Sequence, residues 1–316
     1  SPTVCPYTIQ THFWFFRLNL SNDAWDAATG VDDTKPESVV RLLGGDVGED
    51  ARKAAVNKVH AIALGCLGLG SAGLFYAASV MAFGAAANTA YTVLAMLGLA
   101  VFGGYAYQGP PFRLSYKGLG EPICFAAFGP LATGAFYLAL VSLYSLILFY
   151  FLFPFISVWA IGLTPRVLFL CFQAAGVPGG SVWMGVPSAP TLLQPGVIGA
   201  ACLVGLTTTA ILFTSHFHQE EGDAAAGKKS PVVRFGLPKC IDFLRKGVLF
   251  HHVLASLLAF NGWLPIMGAV GVFIAMPLSI GVSSFAARHV ETPAELFRTK
   301  YGAVRFFFLC VYGQLD

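Results

Sequence analysis

The chain has 316 residues, of which 56% are hydrophobic and only 11% are charged, and its mean hydropathy is +0.69. These values exclude a soluble two-domain protein of this length and indicate a polytopic membrane protein. The 19 Lys and Arg against 16 Asp and Glu leave a net charge of +3, which by itself says nothing about nucleic acid, and no basic stripe interleaved with aromatics indicates nucleic-acid binding.

Apolar stretches long enough to cross a bilayer recur along the chain. We predict complete spans over 60–83, 88–107, 121–141, 142–163, 195–214 and 247–287, the last folding as two helices around 261–265. Shorter helices at 6–19 and 301–315 bring the expected number of crossings to about eight or nine. The sequence therefore predicts a single all-α, polytopic transmembrane helix bundle over 1–316, with an insertion at 142–190.

Charged residues divide unequally between the two ends of these spans. All Lys and Arg except Arg166, and all Asp and Glu except Asp316, fall on one side. By the positive-inside rule this side faces the cytoplasm, the stroma or the matrix. Its polar connections, whose side chains could converge on one ligand, are 20–59, 108–120, 215–246 and 286–300.

Two segments on this side carry the same polar pattern. They consist of Asn19, Asn22, Asp23 and Asp26 in the first segment, and of His216, Gln219, Glu220 and Asp223 in the second. Each offers an amide or imidazole, an amide, a carboxylate and an aspartate at relative positions 0, 3, 4 and 7, which is one face of a helix. The repeat predicts a pair of acidic faces that hold divalent cations, and through them a diphosphate, above an apolar cavity.

Asp23 and Asp26 are the best candidate metal ligands of the first segment, because Mg²⁺ typically keeps one or two carboxylates plus substrate phosphate and water. Asn19 and Asn22 add neutral oxygens. Glu220 and Asp223 match the two aspartates in the second segment, and Gln219 matches Asn22. A helix end with capping residues and solvated acids would be the simpler interpretation of either segment alone, and the repeat favours a site.

Both segments must face one compartment to share a site. Four predicted helices separate them, and an even number satisfies this condition. A further crossing at 142–163 would place them on opposite sides unless 164–190 crosses back. The Pro and Gly residues of 177–195 make a paired or peripheral hairpin the favoured interpretation.

Basic residues accompany the acidic segments. Arg113 and Lys117 lie in the Pro- and Gly-rich connection 108–120, and Lys228 follows the second acidic segment. An anion that bears several charges needs such donors beside its metal ions. The alternative is that these residues only mark the inner face of the membrane.

Residues 19–32, 37–40, 111–121 and 215–231 together resemble the intramembrane aromatic prenyltransferases of the UbiA superfamily. Within it they are similar to the plant and cyanobacterial 1,4-dihydroxy-2-naphthoate prenyltransferases. The resemblance implies Mg²⁺-dependent transfer of a phytyl or polyprenyl group from its diphosphate to this naphthoate, with decarboxylation, in phylloquinone or menaquinone biosynthesis. It also implies a chloroplast thylakoid, inner envelope or cyanobacterial membrane, with the acidic connections facing the stroma or cytoplasm.

The resemblance also implies roles for individual residues. Metal ligands would be Asp23, Asp26, Glu220 and Asp223, and diphosphate contacts would be Arg113, Lys117 and Lys228. Tyr116 would contact the aromatic acceptor. Asp23, Asp26, Asp223 and Lys117 are the expected catalytic residues, with Asn19, Asn22 and Gln219 as further substrate-binding residues.

Three features depart from the family pattern. Gln219 stands where many members have the first Asp of the second motif, the family helix that precedes Asn19 is missing, and 142–190 resembles an insertion. The first residues show no recognisable signal or transit peptide, and we expect the start of the chain to be trimmed, processed or incompletely known. Two alternatives stay open: a UbiA-type enzyme with another aromatic acceptor, and a non-catalytic, prenyltransferase-like subunit of a larger photosynthetic membrane complex.

Overall fold

The computed structural model describes residues 20–29, 38–45, 47–83, 87–142, 192–264 and 266–312. Within these ranges the regular elements are helical and there is no strand, which confirms the predicted all-α class. The predicted helix 6–19, Asn19 and all but the first residue of the predicted insertion 142–190 lie outside the described residues.

Twelve helices can be followed through the described ranges. They are α1 (20–29), α2 (Glu49–Phe83), α3 (Ala87–Gln108), α4 (Gly120–Ala126), α5 (Gly134–Ser142), α6 (Pro195–Ser215), α7 (Glu220–Ala225), α8 (Pro231–Phe235), α9 (Leu237–Phe260), α10 (Ile266–Ile274), α11 (Met276–Arg288) and α12 (Phe297–Tyr312). Short 3₁₀ turns lie at Leu114–Lys117 and Pro293–Leu296, and π-helical turns at Arg41–Gly45 and Ala127–Thr133.

Three of these helices are long and apolar enough to cross a membrane: Asn88–Gln108 of α3, α6 and α9. They agree with the predicted spans 88–107 and 195–214 and with the start of 247–287. The total number of crossings remains a prediction, because this finding covers the described residues only.

Several predicted connections are helical in the structure. α2 begins at Glu49 rather than at residue 60, and the predicted connection 215–246 contains α7, α8 and the start of α9. Charged residues within these segments concealed the helices, because hydropathy detects only apolar stretches. The predicted stretch 247–287 divides near Gly262 as expected, and it divides again at Ala275, where Pro277 stands in the first turn of α11.

α4 and α5 form one helix that is interrupted at Pro130. Proline has no N–H to give to the preceding turn, and the π-helical turn Ala127–Thr133 accommodates this loss. At this turn the backbone approaches α6 closely, since a Cβ on Gly129 would meet the Ala201 carbonyl oxygen at 2.7 Å. α6 also packs against α4, α9 and α12, so it is a central helix of the described bundle.

Two small apolar cores hold the polar connections at one end of the bundle. One packs α1 against the start of α2 and consists of Ala24, Ala27, Val40, Ala55 and Val59. The other lies under α8 and the turn that precedes α7 and consists of Phe217, Val232, Leu237, Cys240, Ile241, Leu244, Ala286 and Leu296. Both acidic segments are therefore attached to the bundle by buried apolar side chains next to their polar residues.

Candidate active site

The first acidic segment lies on α1, as predicted. Asp26 is 9% exposed, and both of its carboxylate oxygens accept hydrogen bonds of 2.9 Å from Gln108 Nε2 at the end of α3. Asp23 Oδ2 accepts hydrogen bonds from the Ser38 hydroxyl at 3.2 Å and from the Val40 N–H at 3.1 Å. Asp23 thus fixes the chain that follows α1, whereas Asp26 faces the helix bundle.

The second acidic segment is not one continuous helical face, and this part of the prediction is wrong. α6 ends at Ser215, a turn follows, and α7 begins at Glu220. Phe217 is fully buried within the turn and fixes it in place. The turn brings His216 back towards Asp223, so that His216 Nδ1 lies 3.1 Å from Asp223 Oδ2. Asp223 has no exposed surface.

Lys228 connects the two acidic segments. Its side chain is 3% exposed, and its Nζ lies 3.3 Å from Asp223 Oδ1. Burial by itself would lower the pKa of Lys228, but the carboxylates of Asp26 and Asp223 outweigh it and hold this pKa above its ordinary value. Asp26 and Asp223 therefore lie at the same end of the bundle, around one buried ammonium group.

Tyr116 holds the connection between α3 and α4 against both segments. Its hydroxyl oxygen lies 2.7 Å from Thr29 Oγ1 of α1, and its carbonyl accepts a 3.0 Å hydrogen bond from the Lys229 N–H. Gly118, two residues later, has φ +76°, and a Cβ there would meet the Lys229 carbonyl oxygen at 2.9 Å. Glycine is required at this contact for both reasons.

The remaining predicted residues surround this centre at different depths. The Arg113 guanidinium lies 5.8 Å from the centre of the Tyr116 ring, whereas Lys117 is exposed at the end of its 3₁₀ turn. Asn22, Gln219 and Glu220 are half-buried. Of the three predicted basic residues, Lys228 is therefore the one that shares the buried interior with both carboxylates.

Sequence reasoning missed three polar side chains of this site. Gln108 binds Asp26, and Tyr107 beside it is close enough to Asp26 and Asp223 to interact with them electrostatically. Glu121 Oε1, at the start of α4, lies 3.7 Å from His216 Nε2. A signal did exist, since all three flank the connection 108–120 at the ends of otherwise apolar helices.

The site can be tested for its fit to Mg²⁺. Its buried oxygens include Gln108 Oε1 and Glu121 Oε1, which accept no hydrogen bond from the residues that the structure describes, and Asp223 Oδ1, which lies 3.3 Å from Lys228 Nζ. Hard cations prefer oxygen ligands, so the donor chemistry fits. The described residues contain no group of three His, Cys, Asp or Glu side chains that could hold a metal ion. Asp26 and Asp223 are two carboxylates of this centre, and two carboxylates would suit Mg²⁺ if a phosphorylated ligand and water supplied the other oxygens.

We expect the ion pair between Asp223 and Lys228 to persist from about pH 4 to about pH 10. Burial by itself raises the pKa of Asp223, but the hydrogen bond from His216 and the charge of Lys228 bring it below its ordinary value. The resulting stability is lost as pH falls through this lowered pKa. The raised pKa of Lys228 adds stability that is lost only as pH rises through the raised value.

Thermal unfolding of the wild type and of Asp223→Asn across this range checks the expectation. The difference in unfolding temperature should be present at neutral pH and should shrink below about pH 4. Asp242→Asn, which removes the exposed pair between Asp242 and Lys246, serves as the control and should show a small difference throughout. A difference between wild type and Asp223→Asn that disappears near neutral pH would contradict the assignment.

Comparison with known proteins shows clear relatives. The chain is 36% identical over 288 residues to 2-carboxy-1,4-naphthoquinone phytyltransferase, chloroplastic, of Arabidopsis thaliana, a match that covers 91% of the chain and 60% of the relative. It is 32% identical over 291 residues to 2-carboxy-1,4-naphthoquinone phytyltransferase of Synechocystis sp., covering 92% of the chain and 73% of the relative. No family model matches the chain, and no solved structure matches it.

Proposed function

We propose that this chain, which belongs to the UbiA-type prenyltransferase family of the plant and cyanobacterial 2-carboxy-1,4-naphthoquinone phytyltransferases, transfers a phytyl or polyprenyl group from its diphosphate to a naphthalene-type acceptor. The chain spans 60% of the length of the Arabidopsis relative. The observation that carries the proposal is the buried ammonium of Lys228 beside Asp223 and near Asp26.

Lys228 is the proposed anchor of the diphosphate. An ammonium buried among carboxylates keeps its charge, and it can exchange a carboxylate for a phosphate oxygen without leaving the interior. Arg113 is the proposed second contact, because its guanidinium lies over Tyr116 at the edge of the same site. Lys117, which is exposed, would reach the ligand from the rim.

Asp26 and Asp223 are the proposed principal ligands of Mg²⁺, with Asp23 and Glu220 as the further predicted carboxylates. Asn19, Asn22 and Gln219 would contribute neutral oxygens. When bound, Mg²⁺ supplies positive charge that stabilises the departing diphosphate. Gln108 keeps Asp26 oriented by donating to both of its oxygens, and His216 Nδ1 orients Asp223 through one oxygen, Oδ2.

The proposed acceptor is 1,4-dihydroxy-2-naphthoate. The bond between C1 of the prenyl group and the diphosphate oxygen breaks, a bond from C1 to the aromatic ring forms, and the ring carboxylate leaves as carbon dioxide. Tyr116 is the proposed ring contact, and Thr29 fixes the position of its hydroxyl. The family and the apolar helices support a membrane of a chloroplast or a cyanobacterium, and we propose that the acidic end faces the stroma or cytoplasm.

Turnover by purified protein tests the proposal. Protein reconstituted in lipid nanodiscs would be incubated with Mg²⁺, labelled phytyl diphosphate and 1,4-dihydroxy-2-naphthoate, and the extract separated by chromatography. We expect a decarboxylated prenyl product. Transfer to homogentisate or 4-hydroxybenzoate in place of the naphthoate would overturn the acceptor. No transfer to any acceptor, together with stable co-purification in a photosynthetic complex, would favour a non-catalytic subunit.

A further inference from the structure

A pair of buried histidines lies in the middle of α9, away from the acidic end of the bundle. His251 and His252 are 6% and 3% exposed. The two ring centres are 5.6 Å apart, and Phe306 of α12 lies 5.7 Å from one ring and 5.9 Å from the other. The pair therefore occupies an aromatic environment between α9 and α12.

Hydrogen bonds to neighbours fix the tautomer of both imidazoles. His252 Nδ1 lies 2.7 Å from the Val248 carbonyl oxygen, which can only accept, so Nδ1 carries the proton. The Thr207 hydroxyl donates its single hydrogen to the Leu203 carbonyl at 2.7 Å. Thr207 Oγ1 must then accept from His251 Nε2, which lies 3.1 Å away.

Each histidine consequently presents one nitrogen that can only accept a hydrogen bond. These atoms are His251 Nδ1 and His252 Nε2, and both are buried without a hydrogen-bond partner within the described part of the chain. Burying a polar atom without a partner costs about 1–3 kcal/mol, so two neighbouring acceptors call for a group that donates. A quinone carbonyl cannot satisfy them, because it has no hydrogen to donate.

The depth of the pair limits the charge of its ligand. Thr207 lies about 12 Å along α6 from Ser215, at a rise of about 1.5 Å per residue, so the histidine pair is well inside the membrane-spanning part. A charged ligand is costly at this depth. Phe273, which is 47% exposed, has its ring 6.3 Å from that of His252, so the pair lies next to a side chain that reaches the surface of the bundle.

We propose that His251 and His252 form a site for an uncharged aromatic diol, a quinol ring, that enters from the lipid. Its two hydroxyl groups would donate to His251 Nδ1 and His252 Nε2, and its ring would pack against Phe306. Imidazole lone pairs also bind metal ions, but the described residues contain no group of three possible ligands. The site is separate from the acidic centre and does not depend on the proposed transferase activity.

Equilibrium binding to the protein in nanodiscs tests the site with a matched pair of probes. These are 1,4-naphthalenediol, kept reduced, and 1,4-dimethoxynaphthalene, which has the same ring and no donor. We expect the diol to bind at least about tenfold more tightly. Equal affinities for the two probes, or binding of neither probe, would overturn the proposal. Either result would mean that the hydroxyl groups of the diol do not reach the two nitrogens and that water is their hydrogen-bond donor.

Variants locate the binding. His251→Phe and His252→Phe should each weaken the diol about tenfold, and Thr207→Val, which keeps both imidazoles, should also weaken it by releasing His251. His289→Phe is the control and should leave the affinity unchanged.

Lys228→Met should also leave the affinity for the diol unchanged. A loss of affinity in this variant would assign the diol to the acidic site and overturn the proposal. If 1,4-dihydroxy-2-naphthoate bound to the histidine pair as tightly as the diol does, the proposed preference of this site for uncharged ligands would be wrong.

Discussion

Replacing Asp223 by asparagine is expected to lower the rate of prenyl transfer about a thousandfold or more. The carboxylate has no exposed surface, and its two oxygens lie beside His216 and Lys228. Asparagine keeps the shape but removes the charge, so the site loses an anionic ligand for Mg²⁺ and the counter-charge that keeps Lys228 in place. The measurement is the turnover number at saturating prenyl diphosphate and acceptor.

Stability must be measured in parallel, because removing one partner of a buried ion pair costs about 3–5 kcal/mol. The variant should therefore unfold at a lower temperature, and turnover should be compared at a temperature where it is folded. Asp242→Asn changes an exposed carboxylate on α9 and should keep the wild-type rate. A folded Asp223→Asn protein that retains more than about a tenth of wild-type turnover would rule out a central role for this carboxylate.

Replacing Lys228 by methionine should have the second-largest effect. Methionine fills the same space without the ammonium, so the carboxylates of Asp26 and Asp223 lose the cation that they share. We expect kcat/KM for the prenyl diphosphate to fall about a hundredfold, mainly through a higher KM. We also expect Mg²⁺ to raise the unfolding temperature of the variant more than that of the wild type, since the metal would replace the missing charge.

Lys229→Met is the matched control for this substitution. Lys229 is the next residue and is exposed, and its contact with Tyr116 uses only the backbone N–H. Its kinetics and its Mg²⁺ response should match those of the wild type. Equal losses in the two variants would mean that a general positive charge, rather than the buried ammonium of Lys228, determines binding of the diphosphate.

The sequence predicted the parts of the fold that depend on one-dimensional patterns. Apolar length located α3 and α6 to within one residue at each end, because a membrane span is defined by the hydropathy of consecutive residues. Helical periodicity placed Asn22, Asp23 and Asp26 together on α1. The family resemblance agrees with the phytyltransferase relatives from Arabidopsis thaliana and Synechocystis sp..

The rest of the fold and of the candidate site depends on tertiary contacts, which local sequence patterns do not contain. The turn between α6 and α7 depends on the burial of Phe217 under α8 and α9. The residue spacing contains no sign of this burial and therefore wrongly predicted that the helix continued through the turn. The position of Gln108 at the end of an apolar helix marked it as a candidate, but its partner, Asp26 on a distant helix, could not be read from any local pattern. Lys228 and Lys229 are adjacent and chemically identical, and packing alone makes one buried and the other exposed.

Tyr116 joins the two acidic segments through opposite ends of one residue, its hydroxyl to Thr29 and its carbonyl to Lys229. The length of the Tyr116 residue therefore helps to set the separation between the segments, together with Lys228. During evolution, a chain that gained or lost residues in the connection 108–120 would shift both halves of the site together. Changes of length are therefore easier to accommodate in other connections, and we expect the length of the connection 108–120 to vary little among related chains.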